Sequence, residues 1–209
     1  HGLYCAFRTI LNPGDEVLIP QPNWTSTAWI IRIAGGVPVT VRLHRKHEYR
    51  WDINELKSKI TEITKAVLIN SPQNPTGAVM SAAEMQKLIA LADEHDFVIA
   101  SDECYSELYF DEQNPPPGLL QVCREIGRND FKRCVVFHSL SKRSNLPGLR
   151  SGFVAGDAEI LKKFLLYRTY HGCAMPVQHQ LASVAAWNDE EHVQENRRIY
   201  QQKFAAVLD

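Results

Sequence analysis

The chain has 209 residues, 44% of them hydrophobic and 22% charged, with a formal net charge of -1. This is the balance of a globular protein with enough chain to bury a sizeable core. It excludes a large basic face for nucleic acid. No apolar run approaches the roughly 18 residues that a membrane span needs.

Elements follow one another with clear punctuation. Leu3, Phe7, Ile10 and Leu11 recur at helical spacing, and Asn12-Pro13-Gly14-Asp15 ends that helix. Glu16 to Pro20 reads as a strand. Thr25 to Ala34 reads as a helix stopped by Gly35-Gly36. Val37 to Val41 alternates like a strand, and Pro38 places it at a sheet edge or a strand start. Asp52 caps a short helix to Ile60.

Ala66 to Asn70 is an unbroken apolar run, as in a strand buried on both faces. A turn-rich loop, Ser71 to Gly77, follows. Ser81 and Glu84 form a capping box ahead of the stripe Met85, Leu88, Ile89 and Ala92. Phe97 to Ala100 and Val135 to Phe137 read as further buried strands, and Ser151 to Gly156 as a fourth. Asp157 caps a helix from Ala158 to Tyr170. A long polar helix runs from about Glu190 to Leu208. Alternating helices and apolar strands predict an α/β fold with a largely parallel sheet.

Five scattered cysteines (Cys5, Cys104, Cys123, Cys134 and Cys173) form no Cys-x-x-Cys pair. This predicts free thiols in a reducing, cytoplasmic setting and no metal site. His138, His171 and the pair His44 and His47 show no partner pattern. The chain opens in a helix without Met and closes in another, and so reads as a fragment of a longer protein.

In a parallel sheet, ligands sit beyond the carboxyl ends of the strands. Three polar clusters fall there: Asn74; Asp102 with Tyr105; and Ser139 with Lys142. Taken singly, each has an ordinary explanation. Lys142 could be a solvated charge, Asp102 a helix cap, and Asn74-Pro75-Thr76-Gly77 a turn. Taken together they form a chemical set. A lysine amine can condense with an aldehyde. An aspartate can pair with a protonated pyridine nitrogen. Serine hydroxyls and Arg150 can hold a phosphate. Tyr105 and Asn74 can donate to a phenolate oxygen, and the Trp24 indole can stack on a planar ring.

Four elements, in order, carry a close resemblance to the class I/II aminotransferases, the fold-type I pyridoxal-phosphate enzymes. They are Asn12-Pro13-Gly14-Asp15-Glu16-Val17 leading to Pro22-Asn23-Trp24; Asn74-Pro75-Thr76-Gly77; Asp102-Glu103-Cys104-Tyr105; and Ser139-Leu140-Ser141-Lys142 with Arg150. The resemblance implies a three-layer α/β large domain and a pyridoxal 5′-phosphate cofactor. It implies that Lys142 joins the cofactor and then moves the substrate's α-proton. Asp102 would pair with the ring nitrogen, and Tyr105 and Asn74 with the ring oxygen. Trp24 would stack on the ring, and Ser139, Ser141 and Arg150 would hold the phosphate.

It further implies that residues 1–189 are most of the cofactor-binding domain and that 190–209 lead to a small domain outside this chain. Amino-acid and 2-oxo-acid substrates, a homodimer and a weakly active isolated fragment also follow from it. Arg143 to Leu149, Tyr167 to Gly172 and Ala185 to Asp189 look like bacterial N-succinyldiaminopimelate aminotransferases of lysine biosynthesis. The alternatives are an aspartate or broad-specificity aminotransferase, and a non-catalytic module on the same fold.

Overall fold

The computed structural model describes residues 1–208. One six-stranded sheet organises it, in the order β2-β1-β3-β4-β5-β6. The strands are β1 (Glu16–Gln21), β2 (Val37–Arg42), β3 (Thr64–Asn70), β4 (Val98–Asp102), β5 (Cys134–Ser139) and β6 (Gly152–Gly156). The first five are mutually parallel, while β6 runs antiparallel to β5.

Helices cover both faces because the central strands are apolar on both. On one side, Val17, Ile19, Ala66, Leu68, Ala100, Val135 and Phe137 pack against α1 (Gly2–Ile10) and α2 (Thr27–Ala34). Ile160 and Phe164 of α7 (Ala158–Tyr170) join them. On the other side, Leu18, Val67, Ile69, Ile99 and Val136 meet α3 (Ile53–Lys59), α4 (Ala82–His95) and α5 (Leu119–Glu125). This is the expected three-layer α/β architecture. No helix among the described residues is long and apolar enough to cross a membrane.

The expected caps form. Asp52 Oδ1 accepts from the Asn54 and Glu55 amides at 2.9 and 3.3 Å. Ser81 and Glu84 bond reciprocally at 3.3 and 2.7 Å. Asp157 Oδ1 accepts from Glu159 and Ile160 at 2.9 and 3.2 Å. Gly35 closes α2 in the left-handed conformation, φ 100°, which glycine adopts without steric cost.

Three helices depart from the sequence reading: α5, the one-turn α6 (Leu140–Arg143) and α8 (Val177–Asn188). Their signals are non-local. The N-cap of α5 is Gly118, which has no side chain to cap with, and Glu103 of the segment after β4 takes the Leu119 amide at 2.9 Å. α8 starts after Pro176 with no side-chain cap, and its Val177, Leu181 and Val184 are exposed. The long helix α9 spans Glu191–Leu208, as expected.

Ser151 to Gly156 was expected to be a buried strand, and the structure corrects this. β6 is the edge of the sheet, with Gly152 and Phe153 exposed and Val154, Ala155 and Gly156 half-buried. An apolar run does not itself distinguish an edge strand from a central one. Gly152 is needed for the β5–β6 pairing, since a Cβ there would lie 2.5 Å from the His138 carbonyl oxygen.

Two substitutions test this construction by urea unfolding. Ser81→Ala removes one cap and should cost about 1 kcal/mol. Gly152→Ala should cost more, because backbone must move to admit the methyl group. A smaller loss than for Ser81→Ala would contradict that packing.

Candidate active site

Parallel β3, β4 and β5 end at the same rim, and their last residues are tied together there. Asn70 closes β3 and donates from Nδ2 to the Asp102 carbonyl at 2.9 Å. Its Oδ1 accepts the Asn74 amide at 2.7 Å. The Ser71 amide donates to the same Asp102 carbonyl at 3.2 Å. Asn70 therefore fixes the loop after β3 against the end of β4. Its only sequence signal is its place as the polar last residue of an apolar strand.

Three of the expected residues converge in this frame. Asn74 Nδ2 lies 3.3 Å from the Tyr105 hydroxyl. The Lys142 ammonium stands over the Tyr105 ring, 5.7 Å from its centre. A cation and an aromatic face attract at this range. Asp102 ends β4 three residues before Tyr105, with the Cys104 amide donating to Oδ1 at 3.1 Å.

Burial pushes the Asp102 carboxyl above its ordinary range, opposed by hydrogen bonds from Cys104 and by the nearby His138. Burial, then the Asp102 charge and a hydrogen bond to it, pushes the Cys104 thiol up, while Lys142 pulls it down. Asp102, Cys104 and Lys142 thus share one electrostatic neighbourhood. A part-buried carboxylate with a raised pKa suits a positively charged partner.

The remaining expected residues stand at or beside strand ends on this side of the sheet. Ser139 Oγ caps α6 by accepting the Ser141 amide at 3.0 Å. Arg150 follows the turn that reverses the chain into β6, where Gly152 pairs with Ser139. The antiparallel return explains how an arginine eight residues after Lys142 comes back to the end of β5. Its guanidinium donates to the Pro147 carbonyl at 2.9 Å and is otherwise exposed. Trp24 precedes α2 and is 44% exposed. Gln73 Nε2, 2.5 Å from the Pro22 carbonyl, ties the loop carrying Trp24 to the loop carrying Asn74.

His138, which showed no partner pattern in the sequence, has two partners here. Its Nε2 lies 3.0 Å from Glu103 Oε2, and its ring stacks on Phe153 at 4.9 Å. Glu103 is 4% exposed and also accepts from the Ser101 hydroxyl and the Leu119 amide, both at 2.9 Å. His44 lies 3.6 Å from Glu55. His171 ends α7 and stacks with His1 and Tyr167. His1, Cys5 and His171 place possible ligand atoms within 4.8 Å of one another. Arg168 sets a guanidinium 2.7 Å from His1 Nε2, and that fixed positive charge opposes a cation.

The donor set at the rim fits a phosphorylated pyridine aldehyde. It combines an amine, a carboxylate calling for a cation, an amide and a phenol in contact, hydroxyls and a guanidinium. Comparison with known proteins agrees. The family model for aminotransferase class I and II matches residues 1–209. This chain belongs to the class I and II aminotransferases.

An aminotransferase structure from Neisseria meningitidis is 44% identical, with a TM-score of 0.92 over 99% of this chain and 52% of that one. An aspartate aminotransferase from Bacillus sp. strain YM-2 is 33% identical over 99% of this chain and 52% of its own length. An aromatic-amino-acid aminotransferase of Thermococcus litoralis is 32% identical over 93% and 49%. The chain spans about half the length of the curated relatives it matches. Aminotransferases of this family depend on pyridoxal phosphate.

Removing Glu103 tests the rim's support. Glu103→Ala leaves two buried donors and His138 unpaired, and should cost about 3 kcal/mol or more in urea unfolding. A loss below about 1 kcal/mol, the scale of a single neutral hydrogen bond, would contradict the described role.

Proposed function

We propose that the polypeptide carrying these residues is a pyridoxal-phosphate-dependent transaminase, moving an amino group between an amino acid and a 2-oxo acid. The observation that carries this reading is the contact of Asn74, Tyr105 and Lys142 beside the raised Asp102 carboxyl. Residues 1–189 form the cofactor-binding domain in this reading, and 190–209 are the helix leading out of it.

When bound, pyridoxal phosphate supplies an aldehyde to carry the amino group and a pyridine ring to withdraw electrons. The chain's residues do the rest. Lys142 Nζ would hold the aldehyde and would serve as the base that moves the substrate's α-proton. Asp102 would pair with the ring nitrogen and favour its protonated form. Asn74 and Tyr105 would bond the ring oxygen, and Trp24 would stack on the ring. Arg150, Ser139 and Ser141 would hold the phosphate. A fixed guanidinium suits the phosphate because it stays charged and can donate two parallel bonds.

For the amino donor we favour a dicarboxylic amino acid, glutamate or aspartate. Relatives named aspartate aminotransferase support this. A second reading concerns the acceptor: the run Arg143 to Leu149 favours an N-succinylated 2-amino-6-oxo acid of diaminopimelate and lysine biosynthesis. Purified protein given glutamate with either oxaloacetate or the succinylated acid separates the two by which amino product appears.

The cofactor reading is tested by absorbance with pyridoxal 5′-phosphate, borohydride reduction and mass spectrometry. The adduct should sit on Lys142, and Lys142→Ala should abolish it. An adduct of unchanged yield in that variant would remove Lys142 from its role. Arg150→Ala should erase most of the preference for pyridoxal phosphate over pyridoxal. If the unsubstituted protein binds both equally, Arg150 is not a phosphate ligand.

A further inference from the structure

Lys142 lies in a helix of only four residues, α6. A helix this short cannot hold its shape by its own hydrogen bonds. The Lys142 side chain is itself exposed. Whatever fixes the direction of its amine must come from outside the turn.

The structure supplies a continuous stack of side chains from one flank of Lys142 to the other. His138, just before the α6 cap Ser139, stacks on Phe153 of β6 with ring centres 4.9 Å apart. Phe153 meets Trp187 of α8 at 5.0 Å, tilted by 59°. The Arg143 guanidinium lies 5.0 Å over the Trp187 ring, and Arg143 is the residue directly after Lys142. Carboxylates close both ends. Glu103 holds His138 at 3.0 Å, and Glu190 pairs with Arg143. Arg143 also donates to the Ala186 carbonyl at 3.0 Å, and Asn196 Nδ2 reaches the Lys142 carbonyl at 3.3 Å.

Arg143 is only 7% exposed. Burying a guanidinium is costly unless its geometry is fully satisfied. A planar fork can stack on an indole and bond two acceptors at once, which a lysine cannot do. A purely structural filler at this position would need no charge.

We infer that His138, Phe153, Trp187 and Arg143 are positioning residues: they brace the α6 turn so that the Lys142 amine faces the cofactor's aldehyde. This inference rests on the cofactor reading above. It assigns a role to Trp187 and Arg143 in α8 and α6, away from the cofactor-holding set itself. The braced turn carries Lys142 and Ser141, while Asn74, Asp102, Tyr105 and Arg150 lie on other elements, so the brace should weigh on the covalent step more than on the grip on the ring and phosphate.

The test uses the natural polypeptide that carries these residues. Pyridoxal 5′-phosphate is added, and the bond between Lys142 Nζ and the aldehyde carbon forms with loss of water. Borohydride reduces it to a secondary amine that mass spectrometry locates, giving a rate of adduct formation. Affinity for pyridoxamine 5′-phosphate, which has no aldehyde, is measured beside it.

Trp187→Leu and Arg143→Met should each slow adduct formation by about 10- to 100-fold. Each should lower pyridoxamine phosphate affinity by less than about threefold, far less than the loss of adduct rate. Trp187→Phe should restore most of the rate, and Arg143→Lys should not. Normal adduct rates in Trp187→Leu and Arg143→Met would overturn the inference. So would a proportional loss of adduct rate and pyridoxamine phosphate affinity, the mark of general unfolding. If Trp187→Leu does not fold, the Arg143→Met and Arg143→Lys pair decides. An unsubstituted protein that forms no adduct on Lys142 would instead defeat the cofactor reading, and the inference with it.

Discussion

Parallel strand direction is the constraint on which the rest of this molecule depends. A parallel neighbour can be reached only by carrying the chain back across a face of the sheet, so each crossover needs a helix. Every such return leaves the strands ending at one rim. Asn70, Asp102 and Ser139 are far apart in the sequence and lie on three different strands, yet each is at or near a strand's last position. Their proximity follows from direction alone. Apolar strands buried on both faces then make the rim rigid, because β3 and β4 cannot slide without exposing both cores.

One departure from parallel order has its own use. Between β5 and β6 the chain does not cross a face. It makes the short α6 turn and comes straight back along the edge. The turn places Lys142 outside the ladder, and the return brings Arg150 to the same end of the sheet. Gly152 allows the two strands to approach, and Phe153, on the exposed edge, supplies an aromatic face that a buried central strand would have spent on the core. Trp187 packs against Phe153 on that edge.

How much of this could be read from the sequence depends on distance along the chain. β3, β4 and β5 announce themselves as unbroken apolar runs, and Asn74, Asp102, Tyr105, Ser139 and Lys142 stand just at or beyond their ends. Asp52, Ser81 and Asp157 are legible for the same reason, since a cap and its amide partner lie two or three residues apart. Glu103 with His138, Arg143 with Glu190, and Arg197 with Glu107 and Glu112 are separated by 35 to 90 residues. No periodicity marks such pairs. The edge position of β6 was hidden too, because Phe153-Val154-Ala155 is as apolar as a central strand and only the topology reveals that it has one neighbour.

Arg197 gives the end of the chain a mechanical meaning. It lies under the surface of α9, stacks on Tyr109 at 4.4 Å and grips Glu107 and Glu112, which follow Tyr105 on the same loop. α9 has 18 residues, a rod roughly 27 Å long at 1.5 Å per residue. The grip sits about 9 Å from its start on the same scale. It is a fulcrum. A tilt of the rod about Arg197 would move its far end, about 17 Å away, the most, and Asn196, which holds the Lys142 carbonyl one residue from the pivot, the least.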